Sequence, residues 1–291
     1  MPEPVLEVLV PGPHASLQDA GRRGWRRFGV PPGGALDAHA RHTVNTLLGN
    51  PPDAPVLELL PLGVRLRVLR RAAFVTGGAD GGGPLPRWRV LELDAGAELA
   101  WPRPAAGVWS CLGVRGGFAA PLRFGGVSPL PAAGVGSLLR SGDRLAAGAA
   151  GPPPRHIGGR WLADAACRDY TRPPVLRLWP GPQWEDFSSA SRQGLFAAAW
   201  RVSARSSRAG YRLEGPALEG PPGIVSEPVL VGSIQVPPGG QPIVTLHDGP
   251  TVGGYAKLGL IEPEDLPWLV QVPAGREVRF TPNTAEGPEL P

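Results

Sequence analysis

The run IVSEPVLVGSIQVPPGGQPIVTLHD, residues 224–248, decides the fold class. Aliphatic and β-branched stretches, GSIQV and PIVTL, flank PPGGQ, whose prolines and glycines continue neither a helix nor a strand interior. The reading is strand, turn, strand. The same pattern recurs in both directions: VLEVLV (5–10), VRLRVL (64–69), RAAFVTG (71–77), RWRVLELD (87–94) and VWSCLGV (108–114) upstream of residue 150, then VLRLWPG (175–181) and EVRFTP (277–282). The expected class is all-β with a few short helices, built as barrels or sandwiches. Helical patterns are few. LDAHARHTVNTLLGN (36–50) has Asp37 near its start and Gly49 and Asn50 as a stop, and WEDFSSASRQGLFAAAW (184–200) is a second candidate. Three segments, 91–101, 137–148 and 269–280, share an order of apolar strand, Gly turn and apolar strand that a meandering barrel would reuse.

A chain of 291 residues can bury a sizeable core and is long enough for two domains. The Gly/Pro-rich stretch 148–160 is the linker candidate, giving an expected division into 1–165 and 166–291. Net charge is +4 and the basic residues are scattered, Arg22, Arg23, Arg26 and Arg27 being interrupted by Trp25 and Gly24, so nucleic acid is not an expected partner. No run approaches the length of a membrane span and the first ten residues lack a basic leader pattern, so the expectation is a cytoplasmic protein without membrane contact. Cys111 and Cys167 read as buried free thiols. His39 and His42 share a helical spacing but lack the Glu of an HExxH motif, so no metal is expected.

Familiar nucleotide and nucleophile motifs are missing. There is no P-loop and no GxSxG elbow, and GGADGGGP (77–84) reads as a flexible turn. What stands out is polar residues set in Gly-rich turns: Gln18, Asp19, Arg22 and Asp37 in one region, Arg208, Tyr211 and Arg212 around Gly210, and Asp248 and Thr251 ahead of Gly253, Gly254, Tyr255 and Lys257. If the last segment becomes a strand after its glycines, Tyr255 and Lys257 share a face. Lys257 is the one lysine among 29 Lys+Arg. A retained ammonium in an arginine-biased chain points to a site that wants a compact, rotatable donor; a survivor on a solvated strand is the plain alternative.

Four passages, 18–59, 178–187, 206–218 and 232–259, together resemble the family that holds the C subunit of bacterial 5-oxoprolinase and the carboxyltransferase domain of urea amidolyase, also called allophanate hydrolase subunit 2. The resemblance runs from about residue 5 to residue 280 in the family's order. It implies two cyclophilin-like β-barrel domains, B and A subunits as partners, and opening of 5-oxoproline to L-glutamate with ATP hydrolysis. Mg with the ATP, and a nucleotide site shared with a partner, are options left open. Phosphorylating the oxygen of an unactivated lactam makes its carbon electrophilic enough for water, and cationic and amide donors around the phosphoryl group stabilise the developing charge.

The family's QDxGR motif falls on Gln18, Asp19, Gly21 and Arg22. Its GaIQVP segment falls on 232–237, with Ser233 and Gln235, and TTGGYPK on 251–257, with Val252 and Ala256 departing. Its sDRxGYRL segment falls on 207–213, with Ser207 where Asp is usual. A first-domain SxST-type stretch belongs near 125–137 and is largely altered. These motifs together with the polar turns make Lys257, Asp248 and Arg212 the expected catalytic residues. Ligand binding is expected of Gln18, Asp19, Arg22, Asp37, Arg208, Tyr211, Gln235, Thr251, Gly253, Gly254 and Tyr255, with Lys257 on a phosphate or carboxylate. Two other functions fit the family: a biotin-dependent carboxyltransferase that carries no covalent biotin itself, since Lys257 lacks a biotin-carrier setting, and a non-catalytic antagonist that binds a kinase-inhibitor-like partner.

Overall fold

The computed structural model describes residues 3–80, 83, 85–150 and 157–283. The chain is mostly β and divides into two compact units, Met1–Arg23 with Gly33–Thr171, and Gly24–Pro32 with Arg172–Pro291. Residues 151–156 of the linker candidate, and 81, 82 and 84 of the glycine-rich turn, lie outside the described residues.

Two five-stranded antiparallel sheets make the first unit. One runs in the order Glu98–Trp101, Val64–Val68, Pro4–Val10, Arg144–Ala147, Phe118–Ala119, and the other Ala15–Gln18, Val56–Leu59, Ala106–Val114, Ala72–Asp80, Leu91–Leu93. Leu6, Val8, Leu66 and Trp101 of the first sheet and Leu57, Phe74, Leu112 and Val114 of the second bury one shared core. Alternation follows exposure. Val64–Val68 is buried at every other residue, whereas Ala106–Val114 is buried almost throughout because its outer face is also covered. The cover is the helix Ala38–Leu48, whose Ala40, Val44, Leu47 and Leu48 recur at helical spacing and pack on Val56, Val75 and Cys111. Asp37 caps its start, accepting from Ala40 N at 2.7 Å, and Gly49 ends it at φ 66°.

The second unit closes into a seven-stranded barrel: Val175–Pro180, Ala256–Ile261, Ser233–Val236, Ile243–Thr245, Gly210–Glu214, Trp200–Val202, Glu277–Pro282 and back to the first. A ring with an odd number of strands cannot be antiparallel throughout. Here the first and last strands supply the one parallel pair, Val175↔Arg279 to Leu178↔Pro282. Leu176, Leu178, Trp200, Ile234, Val244, Leu258, Ile261 and Val278 fill the buried interior.

Local structure differs from expectation in three places. The helix expected over 184–200 breaks: Trp184–Asp186 is one 3-10 turn, Ser188 caps Ser189–Ala197 by accepting from Ser191 N, and Trp200 starts a barrel strand. Of the three recurring units, only 91–101 has two strands, and these go to different sheets, so the turn is a corner and not a hairpin. Gly77 and Gly78 of the expected flexible turn belong to the strand Ala72–Asp80. Both cysteines are free, Cys111 buried and Cys167 half-buried. Among the described residues no helix is long and apolar enough to cross a membrane, and no cluster of three His, Cys, Asp or Glu side chains could hold a metal.

Candidate functional site

In the first unit the QDxGR motif forms an internally bonded knot. Asp19 is 7% exposed and accepts from Gly21 N at 2.8 Å, Val127 N at 2.8 Å and Ser128 Oγ at 3.2 Å. Ser128 Oγ in turn accepts from Gly34 N, and Arg22 donates to the carbonyls of Arg123 and Ser128. Gln18 is fully buried and donates to Ser16 Oγ at 2.9 Å. Asp37, besides capping its helix, accepts from the Tyr170 hydroxyl at 3.2 Å, and burial followed by the Asp37 charge pushes the Tyr170 phenol above its ordinary range. Arg22, Asp19 and Asp37 therefore hold backbone, and all three are buried.

The second unit does have an open cleft, of about 280 Å³, on the outer face of the barrel. Cross-strand register builds its floor: Arg212 lies opposite Ile243, and Ile243 opposite Gln235, with Gly210 opposite Thr245 one step along. Period-two alternation sends Tyr211 the other way, where its hydroxyl donates to Val270 O at 2.8 Å inside the unit. A two-stranded ribbon, Glu227–Pro228 with Val252–Gly253, contributes Gly253, and Gly254 and Tyr255 follow on the cleft wall. Gly253 lies close to the floor, where a Cβ would come within 2.9 Å of Gln235 Oε1. Gln235 Nε2 is fixed by Thr245 Oγ1 at 2.7 Å. Arg205, Thr245 and Ser207 join the lining without having been singled out as site residues from sequence.

The charge distribution is one-sided. Arg205 and Arg212 line the cleft and no acidic side chain does. Neither guanidinium has a hydrogen bond or ion pair with another described residue. The neighbouring acids are engaged elsewhere. Asp248 grips buried Arg208 at two points, Oδ2 to Nε 2.7 Å and Oδ1 to Nη2 3.2 Å, and Glu227 takes the Lys257 ammonium. That hydrogen bond, then one from Gln183 Nε2 at 2.9 Å, holds the Glu227 carboxyl below its ordinary range.

Lys257 is 4% exposed, which rules out a solvated survivor. The carboxylate it meets is the chain's own. Its strand begins only at Ala256, and the register shifts opposite it, between Ile234 and Gln235, so strand alternation does not carry Tyr255 onto its face. Tyr255 lines the cleft, whereas Lys257, Asp248, Arg208, Tyr211 and buried Thr251 are not part of its lining. The expected site thus comes together only in part: Arg212, Gln235, Gly253, Gly254 and Tyr255 share one cavity.

Comparison with known proteins fits this frame. A family model described as carboxyltransferase domain, subdomain A and B, matches residues 28–282. The chain belongs to that carboxyltransferase-domain family. It is 32% identical to the C subunit of 5-oxoprolinase from Escherichia coli, over 97% of this chain and 92% of the relative. It is 27% identical to the urea amidolyase of Saccharomyces cerevisiae over 97% of this chain, but spans only 17% of that much longer protein. Among solved structures, TTHA0988 superposes with a TM-score of 0.87 at 33% identity over 97% of this chain, which covers 57% of the TTHA0988 chain.

Proposed function

We propose that the chain is the C subunit of an ATP-dependent lactam hydrolase that opens 5-oxoproline to L-glutamate together with A and B subunits. The observation that carries it is the second-unit cleft with two guanidiniums and no carboxylate in its lining. Such a cleft suits an anion, either the carboxylate of the lactam or the phosphoryl group that activates it. Likeness to the 5-oxoprolinase C subunit over nearly the whole of both chains supports the reading. In this account Arg212 and Arg205 hold the anion, Gln235 offers an amide and Tyr255 a phenol beside it, and Lys257 and Asp248 position the walls through Glu227 and Arg208. ATP is supplied at a site to which a partner contributes. The test is reconstitution: the chain co-purified with its B partner, with A added, should release glutamate and ADP from 5-oxoproline. Absence of both products from a well-assembled complex overturns the assignment.

The family model favours a second reading, carboxyl transfer from carboxybiotin. Lys257, buried and bonded to Glu227, is no attachment point for biotin in that reading either, so a separate carrier would deliver it. Decarboxylation of free carboxybiotin in the absence of ATP distinguishes this reaction from the first.

A further inference from the structure

The first unit contains a cavity of about 420 Å³ that the function above leaves unused. Along the paired strands Ala72–Asp80 and Ala106–Val114, Phe74 lies opposite Val114, Thr76 opposite Leu112 and Gly78 opposite Ser110. These residues share one face. Phe74, Leu112 and Val114 belong to the core between the two sheets. Further along, the apolar filling gives way to the hydroxyls of Thr76 and Ser110, and Trp101 of the facing sheet lines the same space. Thr76 and Ser110 are 6% and 2% exposed, yet neither hydroxyl has a hydrogen-bond partner among the described residues, and the same holds for the indole N–H of Trp101. Donors with no protein partner that face one cavity are free to bind a ligand's oxygen atoms.

A held cation completes the rim. Arg87 donates to Gly78 O at 3.1 Å, and its guanidinium lies 5.8 Å from the Trp88 ring and 5.7 Å from the Tyr170 ring. The next residue, Trp88, has φ 63°, a left-handed conformation that a bulky side chain rarely adopts, and its N–H is tied to Thr76 O at 2.8 Å. Its indole occupies the place of a missing side chain at Gly77, where a Cβ would lie 2.1 Å from the ring. Backbone strain of this kind gathers where a neighbouring group must be aimed. Opposite Arg87 stands Asp80, with one contact at 3.1 Å and half of its side chain exposed.

We propose that this cavity binds a small hydroxy- or amino-carboxylate. The ligand carboxylate takes Arg87 and its hydroxyl or ammonium group sits among Thr76, Ser110 and Asp80. A single-point, half-exposed ion pair such as Arg87–Asp80 is weak, so a carboxylate that meets the guanidinium at two points displaces it readily. One cation beside one anion matches a ligand with a single negative charge and a donor group; a phosphate dianion would be repelled by Asp80. The inference is independent of the reaction assigned to the second unit.

Calorimetric titration of the full chain tests it, in an Arg205→Ala/Arg212→Ala background that silences the other anion cleft. L-lactate and L-alanine are the probes, with propionamide and inorganic phosphate as comparators. At least one of the two carboxylates should bind, and Arg87→Gln should weaken it by at least tenfold. Ser110→Ala and Thr76→Val should weaken it severalfold, with unchanged circular dichroism. Should Arg87→Gln fail to fold, the hydroxyl variants decide. The proposal is overturned if neither carboxylate binds, if binding ignores Arg87 and both hydroxyls, or if phosphate or propionamide binds as well as the carboxylates do.

Discussion

The turn around Gln18 and Asp37 and the cleft around Arg212 and Tyr255 look alike in sequence, each a scatter of charged and amide side chains among glycines. Folded, they differ in where hydrogen-bonding capacity ends. Asp19 accepts three bonds and Arg22 donates to two carbonyls, so these two side chains hold chain to chain, while the buried Gln18 keeps its Oε1 without a hydrogen-bond partner. In the second, Arg205 and Arg212 meet no described partner while the acids nearby are engaged by Arg208 and Lys257. What sets the second region apart is two guanidiniums turned to one open cleft whose lining holds no carboxylate, not its polar density.

That contrast is broken most easily at Asp19. Asp19→Ala leaves two backbone N–H groups and the Ser128 hydroxyl without their acceptor, and we expect a loss of about 3 kcal/mol or more of stability in denaturant titrations. A stable Asp19→Ala protein with lost activity would instead put Asp19 in the chemistry. Arg212→Ala should do the reverse. Removing a charge-assisted contact costs about 1.5–3 kcal/mol, one to two decades in kcat/KM of the reconstituted complex, with the melting temperature unchanged.

Lys257 lies between the two cases. A double-mutant cycle of Lys257→Met and Glu227→Gln should give a small stabilising coupling, since one partner is buried and the other is partly exposed. Glu227 is held below its ordinary range, so this stabilisation is complete above the unfolded value near ~4.3 and is lost as the pH falls through the folded value. Coupling that persists in full at pH 2 would remove the carboxylate from the account. The smallest effect belongs to His39. Burial, then nearby Arg168, hold its imidazole below the ordinary range, so its contribution is complete above about 6.5 and declines as the pH falls from there toward the folded value. Melting temperatures between pH 7.5 and 5.5 should fall a little less for His39→Leu than for the parent.

Much of the fold was legible because strand and turn are local signals. The runs at 5–10, 64–69, 108–114, 175–181 and 277–282 all became strands, and Asp37 and Gly49 bracket their helix. Closure was not legible: that Trp200 leaves a helical run for the barrel depends on pairing with Val278, far away in sequence. The site was half legible for the same reason. Gln235, Gly253 and Tyr255 stood out in one passage, but Arg205 looked like any other arginine in SARSSRAG until pairing across the barrel put Gly210 and Arg212 beside Thr245 and Ile243. Lys257 was picked out correctly as unusual, yet its partner lies thirty residues earlier, on a ribbon that composition does not announce.

The most direct test is glutamate and ADP release by the chain reconstituted with its A and B partners, measured for the parent and for Arg212→Ala at matched assembly. The account predicts coupled release by the parent and a loss of one to two decades in the variant, with partner binding retained. Parental turnover in Arg212→Ala would contradict it and leave the unpaired cations without a function.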